Sequence, residues 1–321
     1  MTGAMSASHH YPATGDDECS MTRPSAADWL LLFLLVVLWG SAFGLTDVAL
    51  DGFSPMQLVT GRLWIGAAVL MMVVAARGQA IPRQPAEWRA IVAMSVLGNT
   101  LPFFLISWGQ QRIPSGLTGI LMAVMPLVVL VLAHFLVPGE RLNRWRASGF
   151  VLGFAGIILL TGPEAFAAFR GEGTALISQL AVLGGAVCYG LNLIIARRSP
   201  PLPAAVVAGW VLLCSAVIST VVTALTGPLW PSRADAVSTV SVVALGVLST
   251  GVATMAYFRV VARAGATFLS LINYLIPVWA VILGAAVLGE ALSARSIAAL
   301  GVILIGVLAS QRGQTRRVPG R

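Results

Sequence analysis

The sequence predicts an all-α polytopic membrane protein whose ten transmembrane helices form two inverted five-helix repeats. Hydrophobic residues make up 58% of the 321 residues and charged residues only 10%, whereas soluble domains carry about 25% charged residues. The apolar stretches are close to the length of roughly 20 residues that a helix needs to cross a bilayer. Helices also satisfy their own backbone hydrogen bonds in lipid. An odd number of spans per repeat orients the two repeats in opposite directions.

The apolar stretches follow one another with short polar connections. In chain order we place the spans at residues 29–50, 54–76, 90–109, 115–137, 147–162, 174–196, 204–226, 237–258, 266–288 and 291–309. Polar residues before the first span and arginines after the last predict tails outside the bilayer. The predicted organisation is a disordered cytoplasmic tail at 1–27, a first repeat at 28–163, a second repeat at 174–310 and a basic cytoplasmic tail at 311–321.

The second half repeats motifs of the first half at a near-constant offset. The matched pairs are Trp39-Gly40 with Tyr189-Gly190, Ser95-Val96-Leu97 with Gly246-Val247-Leu248, Pro126 with Pro277, and Gly139-Glu140 with Gly289-Glu290. Their separations are 150 or 151 residues, and Pro55 with Gly61-Arg62 matches Pro203 with Gly209-Trp210 at an offset of 148. A fixed period of this kind is the sequence signature of an internal repeat, and it supports the division into two five-helix halves.

Arginine placement predicts the orientation in the membrane. All 20 basic residues are Arg; with the N-terminus inside, 15 of them fall in inner segments and 4 in outer segments. Positively charged residues accumulate in cytoplasmic loops. We therefore expect a multi-pass inner-membrane protein with both termini in the cytoplasm and residues 163–173 outside.

Composition also excludes several classes of function. The chain contains no Lys, so it has no Walker-type phosphate loop, which requires Gly-Lys-Ser/Thr, and we expect no ATPase activity of its own. Its cysteines, Cys19, Cys188 and Cys214, have no metal-ligand or disulfide spacing, and we expect no metal and no other cofactor. The arginines lie in short loops, so no nucleic-acid partner is expected. The expected partners are the lipid bilayer and a small-molecule substrate.

Motifs in four helices carry a family resemblance. They are Leu38-Trp39-Gly40-Ser41-Ala42-Phe43 in the first span, Ser54-Pro55 with Arg62 in the second, Ser115-Gly116-Leu117-Thr118, Met125-Pro126-Leu127 and Gly139-Glu140-Arg141-Leu142 in or after the fourth, and Gly265-Ala266-Thr267, Tyr274-Leu275-Ile276-Pro277-Val278 and Leu288-Gly289-Glu290 around the ninth. Their order over residues 28–310 resembles the EamA-type exporters of the drug/metabolite transporter superfamily, which have ten helices. The resemblance implies efflux of amino acids, related metabolites or toxic small molecules through a central cavity.

The favoured interpretation is a secondary transporter that exports a small metabolite, an amino acid or a derivative, by alternating access. Inverted repeats around a central site are a recurrent architecture of such transporters. One alternative is a proton-coupled drug exporter, although the first span lacks the buried Glu that small four-helix drug antiporters use. A membrane-embedded enzyme would need carboxylates or His clustered at one interface, which the sequence lacks, so we expect no enzyme. A scaffold that binds a partner without flux is the remaining alternative.

Arg62 is the most informative single residue of the sequence. It lies about eight residues into its helix, so roughly 12 Å below the outer surface at 1.5 Å per residue. A charge at that depth is costly and is a functional-site hypothesis by default. One interpretation is a cation that binds a substrate carboxylate. The other is a structural Arg that bonds helix-end carbonyls or pairs with Asp47 at the outer end of the first helix.

Aromatic and polar side chains within the spans complete the candidate binding site. The candidate substrate-binding residues are Trp39, Ser41, Phe43, Arg62, Asn99, Tyr189, Asn192, Trp210, Tyr257, Asn273 and Tyr274. Packing or hydrogen bonding between helices is the alternative explanation for these side chains. Trp39 and Tyr189 are the strongest cavity candidates because they hold matched positions beside a glycine in the two halves.

Further residues point to motion and to helix contacts. Pro126 and Pro277 remove backbone hydrogen bonds at matched positions and are the candidate hinges for alternating access. Gly149 and Gly153 form a small-residue face on the fifth helix, which suits close packing or a homodimer contact. Glu290, like its mate in the first half, is expected to be structural and to cap the start of a neighbouring helix.

Overall fold

The computed structural model describes residues 24–79, 81–137, 143–161, 174–231, 234–291 and 293–311. Most of the two predicted tails, and the predicted outer connection at 163–173, lie outside these residues. The described residues form the predicted helices and no strand. The fold is therefore the predicted one, an all-α polytopic membrane protein of ten helices in two inverted five-helix repeats.

The helices in the described part of the chain are named here α1 to α10. They are α1 Ala26–Leu50, α2 Pro55–Ala76, α3 Pro85–Gln110, α4 Ser115–Leu136, α5 Arg144–Thr161, α6 Thr174–Arg198, α7 Ala204–Thr226, α8 Ala236–Gly265, α9 Ile272–Val287 and α10 Ala294–Gln311. Eight of them are long and apolar enough to cross a membrane. The other two are α5, whose first turn carries two arginines, and α9, which has 16 residues.

The larger differences from the predicted boundaries have local causes. α3 begins at Pro85 rather than near residue 90, because Gln84 and Glu87 cap its first turn and proline is favoured there. α8 continues to Gly265 rather than ending near residue 258, and it ends there because Gly265 has a φ of 81°, which lies outside right-handed helix. Residues 266–269 after Gly265 are helical, but a turn at residues 270–271 separates them from α9, which begins at Ile272.

The packing of the helices follows the same two-fold relation as the sequence repeat. α1 packs against α8 and α9, and its counterpart α6 packs against α3 and α4. α2 packs along its own counterpart α7, and α5 packs along its counterpart α10. Each of these contacts joins the first half to the second. The interior of the protein is therefore formed where the two repeats meet.

Matching irregularities occur in matching helices. A π-helical stretch covers Val96–Thr100 within α3 and Leu245–Val252 within α8. α4 is interrupted after Met122, and the chain turns at the corresponding place before α9. Pro126 follows the interruption of α4, and Pro277 lies within the first two turns of α9. π-helical stretches are rare and frequently mark functional sites, so the interior near these stretches is where a site is expected.

Small residues bring α5 and α10 into close contact. A Cβ built on Gly306 would lie 2.7 Å from the carbonyl oxygen of Gly149 and 2.8 Å from the nitrogen of Gly153. Backbones that approach so closely leave no room for a side chain at the crossing. The small-residue face of the fifth helix is therefore used for packing inside the chain. A homodimer, which stays a prediction, would need another surface.

Candidate functional site

A buried arginine occupies the interface between the two halves. Arg62 on α2 is 8% exposed, and its Nε donates a hydrogen bond of 2.8 Å to the hydroxyl oxygen of Thr250 in the π-helical stretch of α8. That hydroxyl in turn donates to the carbonyl oxygen of Leu245, over 2.9 Å. Thr250 thus accepts and donates at once, which fixes the direction of its hydroxyl and the orientation of the guanidinium.

One face of this guanidinium is covered by an aromatic ring. The Cζ atom of Arg62 lies 3.9 Å from the ring centroid of Phe103 on α3, a distance typical of a cation–π contact. A guanidinium carries five N–H donors in a planar fork. Among the described residues it makes the one hydrogen bond to Thr250 and no ion pair. The remaining donors are therefore available to a ligand with acceptor oxygens.

The π-helical stretch of α8 also contacts α1. The indole nitrogen of Trp39 donates to the carbonyl oxygen of Ser249, over 3.0 Å, and the Ser249 hydroxyl donates back to the carbonyl oxygen of Leu38, over 2.9 Å. The ring of Trp39 lies 5.8 Å from that of Tyr257, centroid to centroid. Because Ser249 and Thr250 are adjacent, the Trp39–Tyr257 pair lies beside the residues that position Arg62.

α6 adds two more of the predicted residues to this region. Tyr189 lies within electrostatic range of the Arg62 guanidinium. Asn192, three residues further along the same helix, packs on the π-helical stretch of α3: a Cβ on Gly98 would lie 2.7 Å from the Asn192 side-chain oxygen. That oxygen is buried and has no hydrogen-bond partner. It is thus an acceptor without a partner beside the same interface.

The remaining predicted residues of α1 contact α3, α4 and α9. The Ser41 hydroxyl accepts a hydrogen bond of 2.9 Å from the indole nitrogen of Trp279. The backbone oxygen of Phe43 accepts from Gln110, over 2.9 Å, and the Phe43 ring lies next to Gly119. Ser41 and Phe43 therefore connect α1 to α9, α3 and α4, and they lie two and four residues along α1 from Trp39.

The other predicted residues have different surroundings. The ring of Trp210 packs 5.3 Å from that of Trp88, in a cluster with Ile91 and Met94. Tyr274 packs against a different hydrophobic cluster, which includes Leu127, and its hydroxyl is buried without a partner. Asn99 and Asn273 are half-buried in α3 and α9. Trp210 therefore belongs to the α3–α7 contact.

The alternative partner predicted for Arg62 is not used. Asp47 forms no ion pair with Arg62 in the described part of the chain; its charged neighbours are Asp51 and Glu290. The interpretation of Glu290 as a helix cap is confirmed. Its carboxylate accepts from the backbone nitrogens of Ser115 and Gly116, over 2.7 and 2.9 Å, at the start of α4.

Sequence reasoning missed three residues that define the site. Phe103, Ser249 and Thr250 were not singled out, since a phenylalanine or two small hydroxyl residues in an apolar span are ordinary features. One signal was present: the repeat aligns the segment before Ser249 with the segment that leads to Gly98 and Asn99. Both segments form the π-helical stretches, which depend on hydrogen bonding that sequence patterns do not report.

Comparison with known proteins relates this arrangement to membrane transport. A model described as the EamA-like transporter family matches residues 28–162 and 176–310. The aromatic amino acid exporter YddG of Ancylobacter novellus is 28% identical, over 82% of this chain and 88% of its own. A probable terminal-alkyne amino-acid exporter of Streptantibioticus cattleyicolor is also 28% identical, over 81% of this chain and 84% of its own.

Two further matches cover the chain at similar depth. The uncharacterized transporter YoaV of Bacillus subtilis is 25% identical, over 78% of this chain and 85% of its own. A crystal structure superposes with a TM-score of 0.63 at 25% identity, over 92% of this chain and all of the other. The likeness therefore extends over both repeats and over the whole set of helices.

Proposed function

The chain belongs to the EamA-like transporter family and is a membrane transporter rather than an enzyme, and we propose that it exports an amino acid or an amino-acid derivative across the inner membrane. The candidate site suits a substrate that carries both a carboxylate and an apolar side chain. The proposal includes both termini in the cytoplasm, as the arginine distribution predicts.

The observation that carries the proposal is the guanidinium of Arg62. It is buried at the interface between the repeats, it is oriented by Thr250 and Phe103, and most of its donors have no partner among the described residues. Arg binds a carboxylate through two parallel charge-assisted hydrogen bonds. In a site of low dielectric the attraction between these charges is stronger than in water.

Aromatic rings near this cation suit the rest of such a substrate. Phe103 covers the guanidinium, and the Trp39–Tyr257 pair lies beside Ser249 and Thr250. Apolar and aromatic surfaces with a few placed polar groups are typical of small-molecule sites. The names of two relatives, an aromatic amino acid exporter and a probable terminal-alkyne amino-acid exporter, support a substrate with both a carboxylate and an apolar side chain.

Alternating access is the mechanism we propose for export. The halves meet along the contacts of α1 with α8 and α9 and of α6 with α3 and α4, so one set can loosen while its counterpart closes. The interruption of α4 and the turn before α9 lie at matched places, close to Pro126 and Pro277, which we propose as the hinges. Rocking of inverted repeats around a fixed site is the usual mode of such transporters.

Flux in liposomes tests this function. Purified protein is reconstituted with no nucleotide, and counterflow of labelled L-phenylalanine is measured against protein-free liposomes. We expect flux above the control, inhibited by unlabelled L-phenylalanine and by 3-phenylpropionate, which keeps the carboxylate. Flux that requires ATP would refute a secondary transporter. If the protein instead exchanges hydrophobic cations for protons and transports no amino acid, the proton-coupled drug exporter is favoured.

A further inference from the structure

A polar cavity lies at the ends of α1 and α3, outside the Arg62 site. It has a volume of about 240 Å³ and is lined by Asp47, Leu50, Asp51, Gln110 and Gln111. All five residues lie at the C-terminal ends of their helices, which the arginine distribution places on the outer side. Phe43, one turn before Asp47, connects the cavity to the candidate substrate site, because its backbone oxygen bonds Gln110.

The charge in this cavity is negative and unbalanced. Helix C-terminal ends carry partial negative charge, so carboxylates are unfavourable there and cations favourable. Neither Asp47 nor Asp51 forms an ion pair in the described part of the chain, and a third carboxylate, Glu290, lies within electrostatic range of Asp47. The cation nearest in sequence, Arg112, lies instead over the ring of Trp108, 5.4 Å from its centroid.

Gln110 supplies the second, independent observation. It is 4% exposed, and its side-chain nitrogen donates to the Phe43 oxygen over 2.9 Å. That bond settles which end of the amide is oxygen, because the reversed amide would place two acceptors against each other. The Gln110 side-chain oxygen is then left buried with no partner, and such an unmade bond is costly. The residue lines the cavity, so a donor that enters beyond its surface and reaches this buried oxygen would satisfy it.

We propose that this cavity binds the ammonium group of the exported amino acid on its way out. The site offers two carboxylates and one amide oxygen, all acceptors, and an ammonium group offers three N–H donors. A cavity of about 240 Å³ exceeds what a bare metal ion with six oxygen ligands fills, and it suits an organic cation. The inference rests on the proposed function. It adds an exit subsite that binds the amine of the substrate, whereas Arg62 binds the carboxylate.

Binding of an amine without a carboxylate tests the subsite separately from transport. Labelled phenethylamine is titrated into purified wild-type protein and into Asp47→Asn, Asp51→Asn and Gln110→Met. We expect saturable binding to the wild type and about tenfold weaker binding to each aspartate variant, as expected when a charge-assisted hydrogen bond becomes neutral. Binding of 3-phenylpropionate is expected to be unchanged in all three.

Asp235→Asn is the matched control. Asp235 is a carboxylate on the same predicted side of the membrane; it caps α8 by accepting from the Ser238 backbone nitrogen over 2.8 Å. This bond lowers its pKa, so the group is charged. Asn caps a helix as well as Asp does. Asp235 does not line the cavity, although Ser238 contacts the end of α1 beside it. The variant therefore removes one outer negative charge and keeps the cavity lining, and phenethylamine binding is expected to match the wild type.

A measurement on wild-type protein covers the case in which a variant does not fold. Carbodiimide modification of Asp47 and Asp51, read by mass spectrometry, is expected to slow when phenethylamine is present, with Asp235 unaffected. Equal modification with and without phenethylamine would overturn the proposal, as would wild-type affinity in both aspartate variants. Protection by NaCl but not by phenethylamine would overturn it in favour of a metal-cation site. Absence of amino-acid flux with phenethylamine still bound would instead count against the proposed function alone.

Discussion

At the scale of single residues, the decisive feature is how Arg62 is held. A buried charge is costly unless hydrogen bonds or opposite charges compensate it. Thr250 and Phe103 compensate only one edge and one face of the guanidinium. A purely structural arginine would be expected to bond helix-end carbonyls or a carboxylate with its other donors. The unused donors therefore favour a ligand over a structural role.

The first prediction concerns Arg62→Lys. We expect the variant to fold but to bind L-phenylalanine at least about tenfold more weakly, because Lys cannot form the two parallel bonds of a guanidinium. Phenethylamine, which has no carboxylate, is expected to bind both proteins equally. Affinity is measured by isotope binding, and melting temperature in detergent is recorded on the same samples.

Arg112→Lys is the matched control, since it makes the same exchange at an exposed arginine. The substrate-contact hypothesis for Arg62 fails if Arg62→Ala transports L-phenylalanine at the wild-type rate per folded molecule. A loss of melting temperature in Arg62→Lys without any loss of affinity would assign the residue a structural role.

The second prediction concerns the cap on α4. Glu290 accepts from two backbone nitrogens and from the Ser115 hydroxyl, the last over 2.6 Å. Glu290→Ala leaves these donors unpaired, and a lost helix cap costs about 1–2 kcal/mol. We expect a lower melting temperature in detergent with the L-phenylalanine affinity of the folded fraction retained. Asp235→Asn preserves a helix cap, and its melting temperature is expected to equal that of the wild type. An unchanged melting temperature in Glu290→Ala would contradict the capping role of Glu290.

At the scale of helices, the contact of α5 with α10 depends on small residues, and the interior contacts depend on irregular helix. Gly149, Gly153 and Gly306 bring two backbones together without side chains between them. The π-helical stretches of α3 and α8 instead turn polar side chains toward the other half. The contact between α5 and α10 therefore serves to pack the two helices, whereas α3 and α8 contribute residues to the candidate site.

The third prediction tests the α5–α10 contact. In Gly306→Leu the side chain meets backbone atoms of α5 that cannot move aside, so the helices must separate; overpacking of this kind costs about 1–3 kcal/mol. Gly301, on the same helix, has nothing within 4 Å of an added Cβ, so Gly301→Leu is the control. We expect thermal unfolding in detergent to shift down in the first variant alone. Equal melting temperatures would show that the helices do not meet as described.

At the scale of the whole molecule, the two halves are joined as an inverted pair. Each helix of the first half contacts a helix of the second, and no single half encloses the interior. Five spans per half reverse the direction of the second copy, which places equivalent loops on opposite sides of the membrane. The arginine distribution of 15 to 4 then predicts which side is cytoplasmic.

The fourth prediction concerns this orientation. A reporter that is active only in the periplasm is expected to stay silent when it is fused after Leu308, because the positive-inside rule places the end of α10 in the cytoplasm. The same reporter fused after Gln111, at the end of α3, is expected to be active and serves as the control. A strong signal after Leu308 would reverse the predicted topology and the direction of export with it.

The fold class was accessible from the sequence because its determinants are local. Hydropathy and length specify each span, and the recurrence of pairs such as Pro126 and Pro277 reveals the repeat. The capping role of Glu290 was also predictable, since a carboxylate just after a helix tends to bond a neighbouring helix start. Arg62, Trp39 and Tyr189 were accessible as candidates because a charge or a matched aromatic is conspicuous within an apolar span.

Only the tertiary structure decided which of these side chains meet. Arg62 bonds Thr250, which lies 188 residues away, and not Asp47; the sequence contains no information about which face of α2 turns toward α8. Helix packing also places Trp210 against Trp88 and leaves the Gln110 oxygen without a partner among the described residues. Composition determines that a helix enters the membrane, whereas the packing of one helix on another determines what its polar side chains touch.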